Sequence, residues 1–150
     1  MRKRLIQVVL GVVGLFVVIQ LVPYGRDHDN PTGRSEPAWP SPEVRALAVK
    51  ACFDCHSNET KWPWYSNVAP VSWLVTRHVN EGRGELNFSE FGRSQKHAKD
   101  AAEELRENEM PPPYYFPTHP EAKLTDAERQ QLVAAFEAMF GKDDGAEKHD

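Results

Sequence analysis

The 150 residues leave room for one modest domain with a small core. The formal charge is −4; setting aside Arg2, Lys3 and Arg4 leaves 15 Lys+Arg against 22 Asp+Glu, or −7 over the remainder. That balance argues against a nucleic-acid partner and suits either a protein with a basic surface or simple solubility.

Residues 5 to 22, LIQVVLGVVGLFVVIQLV, carry no charge. Eighteen residues at a rise of ~1.5 Å reach about 27 Å, so residues 1–22 are expected to form a transmembrane anchor. A cleaved signal sequence shares the basic start, but has a shorter apolar run and a small-residue cleavage site, which Val22-Pro23-Tyr24-Gly25 does not offer. Basic residues before the helix and acidic sequence after it predict a single-pass bacterial inner-membrane protein, N-terminus cytoplasmic and the remainder periplasmic. Residues 23–40, with four prolines, read as an extended tether, and residues 141–150 as a disordered tail after Gly141.

Between them the spacing predicts four helices, an all-α domain over 41–140. The first opens with Ser41 as N-cap and Pro42 at the first helical position, and places Val44, Leu47, Ala48, Ala51, Cys52 and Cys55 on one stripe. The second runs from Pro70 to Gly82 with Val71, Leu74, Val75, His78 and Val79 on one face. The third opens at Ser94, carries Ala98, Ala101, Ala102 and Leu105, and stops before Met110-Pro-Pro-Pro113. The fourth opens with the capping box Thr125-x-x-Glu128 and buries Leu132, Val133, Phe136 and Phe140. So thin a core is expected to take in something further at its centre.

Cys52-Phe-Asp-Cys55-His56 is the C-x-x-C-H pattern of c-type haem attachment. Residues i, i+3 and i+4 share a helix side, so two thiols can bond the haem vinyl groups while His56 ligates the iron. A thioredoxin-like site wants a βαβ context, a zinc site needs two further ligands with matching spacing, and a disulfide this short stabilises little. The expected cofactor is one haem c per chain.

The stretches CFDCHSNETKWPWYSNVAPVSW, HVNEGRGELNFSEF and EMPPPYYFPTHPEAKLT resemble the bacterial haem-binding-domain family, small membrane-tethered or fused modules similar to monohaem cytochromes c. The resemblance covers about residues 37 to 140 and implies covalent haem c with His56 as one axial ligand. Met110, 54 positions beyond His56 and ahead of three prolines, is the favoured second ligand, with His78 and His119 as alternatives and core packing as the bland reading of each. Trp62, Trp64 and Arg77 are candidates for the pocket and its propionates. The Pro70 carbonyl is a candidate acceptor for the Nδ1–H of His56.

These readings add up to a membrane-tethered electron carrier with a redox partner, not an enzyme. A sensor or peroxidase-like protein with an open iron position, or a structural haem module of a membrane complex, are the rivals.

Overall fold

The computed structural model describes residues 1–33, 35–95 and 97–141, and it is helical with no strand among them. The helices are α1 (Arg2–Ile19), α2 (Pro42–Ala51), α3 (Phe53–His56), α4 (Val71–Glu85), α5 (Ala101–Arg106) and α6 (Asp126–Phe140). Single 3-10 turns at Trp64–Asn67, Pro113–Tyr115 and Pro120–Ala122 punctuate the connections. The expected tail lies, from residue 142, outside the described residues.

Local chemistry sets the ends of the first and last domain helices. Ser41 Oγ accepts from the Val44 N–H at 3.3 Å with Pro42 in the first turn, and Thr125 and Glu128 complete a reciprocal capping box on α6. The Lys50 ammonium reaches Glu128 at 2.8 Å, tying the end of α2 to the start of α6.

The core lies where α2, α5 and α6 meet the segment Leu86–Phe91. Phe88 is fully buried at its centre, with ring centroids 5.6 Å from Phe53, 5.7 Å from Phe136 and 5.4 Å from Trp39. Val44, Ala48, Leu105 and Leu132 close around these rings. In this part of the molecule α2, α5, α6 and the Phe88 segment pack on one another's side chains. Beneath this core Asn87 Nδ2 donates to Asn58 Oδ1 at 2.8 Å, the Asn58 N–H to Ser89 Oγ at 3.0 Å, and the Ser89 N–H to Asn87 Oδ1 at 2.9 Å. Each of these buried polar groups thereby replaces the water it lost with a partner.

No helix among the described residues is long and apolar enough to cross a membrane. The helix ends at Ile19 rather than Val22, and three of its 18 residues are charged. The uncharged remainder measures ~22 Å at 1.5 Å per residue, short of a hydrocarbon layer ~30 Å thick. None of its residues is buried.

Residues 23–40 follow the domain surface rather than standing free of it. Gln20 exchanges two hydrogen bonds with the Ala69 backbone, at 2.9 and 3.0 Å. His28 stacks on Trp62 at 4.8 Å, Asn30 donates to the Thr60 carbonyl at 2.9 Å, and Arg83 reaches the Asp29 carbonyl and the Asn30 side chain. Proline content suggested extension, and the segment is extended, but its polar groups find fixed partners on the domain.

The first helical pattern breaks at Cys52 (φ −121°, ψ −34°), so α2 and α3 are separate helices. The second passes through Gly82 to Glu85, because that glycine admits a close neighbour and does not end the helix. The third is helical only over Ala101–Arg106.

Candidate functional site

The Cys52–His56 stretch forms one tight turn, closed by the Cys55 and His56 amides donating to the Cys52 carbonyl at 3.2 and 2.9 Å. This turn lies against α4 at Gly82. A Cβ at that position would stand 2.6 Å from the Cys55 carbonyl oxygen, so only glycine permits the approach. The Phe88 N–H donates to the His56 carbonyl at 2.8 Å, which joins the turn to the aromatic core.

The approach has a chemical result. The Nδ1–H of His56 points at two backbone carbonyls at the end of α4, Gly82 at 2.9 Å and Leu86 at 3.1 Å. Carbonyls only accept, so the proton belongs on Nδ1 and Nε2 keeps its lone pair. Burial holds the imidazole pKa below its usual value, which favours the neutral ring despite the opposing pull of both carbonyls. A neutral imidazole with one nitrogen anchored by backbone oxygens and the other bare is the form that ligates a metal. The acceptors are Gly82 and Leu86, not Pro70, whose carbonyl accepts from the amides of Trp73 and Leu74.

Both cysteines are free thiols. Burial pushes Cys52 up to about 12 and Cys55 up to about 11, so both are protonated near neutrality in the metal-free protein. No group of three His, Cys, Asp or Glu residues that could hold a metal ion is present among the described residues.

Beside the turn, the face of α4 expected to be buried is open. Val79 is buried, but Leu74 is 54% exposed and Val71 is also exposed. His78, one turn before Gly82, has no hydrogen bond among the described residues, and its ring lies 5.7 Å from that of Tyr114. Tyr114, exposed, belongs to the loop that begins with Met110, itself 40% exposed. An uncovered apolar face on the helix that carries Gly82, two thiols and an imidazole whose Nε2 keeps its lone pair suit a large planar apolar group with a metal at its centre. The residues present fit haem.

The other candidates are placed as follows. His119 is engaged at both ring nitrogens: Nε2 is 3.3 Å from the Tyr65 hydroxyl, and Nδ1 is 3.0 Å from Thr118 Oγ1. Trp62 stacks on His28, and its buried Nε1–H, like that of Trp73, has no partner among the described residues. Trp64 is 80% exposed, and Arg77 is exposed and paired with Glu81 at 2.7 Å.

Asp54, between the two cysteines, carries three contacts. Its Oδ2 accepts from the Tyr115 hydroxyl at 2.8 Å, its Oδ1 from the Lys61 N–H at 3.0 Å, and its carbonyl from Thr60 Oγ1 at 2.8 Å. Burial first, and the bond to Asp54 second, raise the Tyr115 phenol well above its ordinary value. Tyr115 stacks on His119 with centroids 3.9 Å apart and planes 8° off parallel. Gly82, Leu86 and Tyr115 were not among the sequence candidates. The only trace of the first was a glycine four residues before Leu86, which reads equally well as a stop signal.

No curated protein and no solved structure matches the chain. The model of a family described as the haem-binding domain matches residues 14–138, which takes in the C-terminal part of α1, the docked segment and the whole site. The chain belongs to the haem-binding-domain family.

Proposed function

We propose that this protein is a periplasmic, membrane-associated c-type cytochrome that carries one covalent haem and transfers electrons. Cys52 and Cys55 would hold the haem through thioethers, His56 Nε2 would take one axial position and Met110 the other. Haem supplies an iron that passes between ferric and ferrous states. The observation that carries this reading is the pair of carbonyls, Gly82 and Leu86, that accept from His56 Nδ1–H and leave Nε2 free. The buried indole N–H of Trp62 is a ready donor for a propionate.

Two protein ligands leave no position for a substrate, which suits a carrier better than an enzyme. The acidic balance of the domain suits a redox partner with a basic surface. Helix α1 buries nothing, is uncharged from Leu5 to Ile19 and has Arg2, Lys3 and Arg4 at one end, so a lipid layer is the medium in which its exposed side chains lose least.

A second reading has its own support. His78 offers an unpaired imidazole one turn from Gly82, so a bis-histidine site is the alternative to His/Met. The ferric spectrum of the purified protein separates the two. A low-spin species with a far-red thioether band, lost in Met110→Ala and retained in His78→Ala, supports Met110. Loss of the low-spin species in His78→Ala alone supports the bis-histidine site, and a high-spin wild type supports an open iron of sensor or peroxidase-like character.

A further inference from the structure

We infer that Asp54 and Tyr115 form the latch that positions the Met110 loop over the C-x-x-C-H turn; the inference rests on the His/Met reading proposed above. The latch crosses 61 positions of sequence with one bond, Tyr115 hydroxyl to Asp54 Oδ2 at 2.8 Å. Asp54 is rigid on its other side, because Lys61 and Thr60 hold its Oδ1 and its carbonyl. The acceptor therefore cannot swing to follow the loop, and the loop must come to it.

Tyr115 is a stiff lever on Met110. Pro111, Pro112, Pro113 and Tyr114 separate the two, each proline has φ restricted by its ring, and the Tyr115 N–H donates to the Pro112 carbonyl at 2.9 Å to close the 3-10 turn. At the near end, the Met110 N–H donates to the Glu104 carbonyl at 3.1 Å, which fixes the loop to α5. At the far end, His119 stacks on the Tyr115 ring and meets the Tyr65 hydroxyl, so the ring cannot rotate away from Asp54. Between these ends Tyr114 rests beside His78 on α4. The loop is pinned to α5, α4 and the C-x-x-C-H turn, and only the last of these pins is a single hydroxyl. Asp54 and Tyr115 are positioning residues: neither touches the iron.

The test uses the haem-loaded full chain and the variants Tyr115→Phe, Asp54→Asn and Asp54→Ala. Tyr115→Phe keeps the ring and its stacking and deletes the donated bond. Three quantities are read: the far-red thioether band of the ferric form, the rate of cyanide binding, and the melting temperature. The expected result is a thioether band at least halved in Tyr115→Phe and Asp54→Ala, with cyanide binding about tenfold faster, as loss of one charge-assisted hydrogen bond implies. Asp54→Asn, whose amide oxygen can still accept, should recover much of the band. If Tyr115→Phe and Asp54→Ala lower the melting temperature but leave band and cyanide rate at wild-type values, the pair is only structural and the latch is wrong. A wild type without the band, unchanged by Met110→Ala, removes both the His/Met reading and the latch; a normal wild-type band that ignores Tyr115→Phe removes the latch alone.

Discussion

His56 and Gly82 stand 26 positions apart in sequence, yet the Nδ1–H of one donates to the carbonyl of the other at 2.9 Å. The bond exists because position 82 lacks a side chain. A Cβ there would sit 2.6 Å from the Cys55 carbonyl oxygen and 3.2 Å from the Cys55 Cβ, so the turn could not lie against α4. One glycine thus sets both the packing of α3 and the tautomer of the imidazole.

Gly82→Ala is therefore expected to push the C-x-x-C-H turn away from α4. Overpacking of this kind costs about 1–3 kcal/mol, and the His56 bonds to Gly82 and Leu86 should lengthen with it. Thermal melts of the haem-loaded protein check the first effect, and a change in reduction potential checks the second. Gly84→Ala is the control, since nothing lies within 4 Å of a Cβ at that position. Equal behaviour of the two variants would remove Gly82 from the account.

Phe88 is fully buried between Phe53, Phe136 and Trp39. Phe88→Ala should cost ~3–5 kcal/mol, a large share of the stability of so small a domain, with or without cofactor. The converse holds on the other side of the molecule. A Cys52→Ala/Cys55→Ala variant should keep slow hydrogen exchange in α2 and α6, while α4, whose Val71 and Leu74 are uncovered, exchanges fast. Uniformly fast exchange would mean that the aromatic core does not stand without haem.

The site was legible in the sequence to different depths. Cysteine spacing, the adjacent histidine and the Ser41 and Thr125 caps are local signals, and each reads directly from neighbouring residues. The partners of His56 are backbone carbonyls, which every residue carries, so no side-chain pattern announces Gly82 or Leu86. Likewise, Asp54 and Tyr115 meet across 61 positions, and nothing near either marks the other. Gly82 read as a helix stop because glycine weakens helices, a propensity overridden here by the close packing of Cys55. The apolar run at residues 5 to 22 suggested a longer helix than the one that ends at Ile19, where Gln20 turns its amide to the Ala69 backbone instead.

Glu128 gives the fold a defined acid response. Hydrogen bonds from Lys50, then from the Thr125 backbone and hydroxyl, lower its pKa from 4.5 to about 2. A carboxylate with a depressed folded-state value contributes stability above about 4.5, and that contribution disappears as pH falls towards 2. The melting temperature should therefore decline over this window, and Glu128→Gln should flatten part of the slope while lowering stability near neutral pH. The group is exposed, so the effect is modest and shrinks further in high salt. An identical pH profile in the variant would show that the Glu128 charge and its pairing with Lys50 contribute nothing to the acid response.

Whether Cys52, Cys55 and His56 together hold one covalent haem is decided by the mass of the denatured polypeptide after acid–acetone extraction. The expected result is a chain heavier by one haem, with the colour retained in the protein, and a loss of that stable adduct in the Cys52→Ala/Cys55→Ala variant. His56→Ala should keep the covalent adduct wherever attachment still occurs but lose the low-spin spectrum. A wild-type chain of unmodified mass, with haem released into the solvent, would contradict covalent attachment and with it the role assigned to both cysteines.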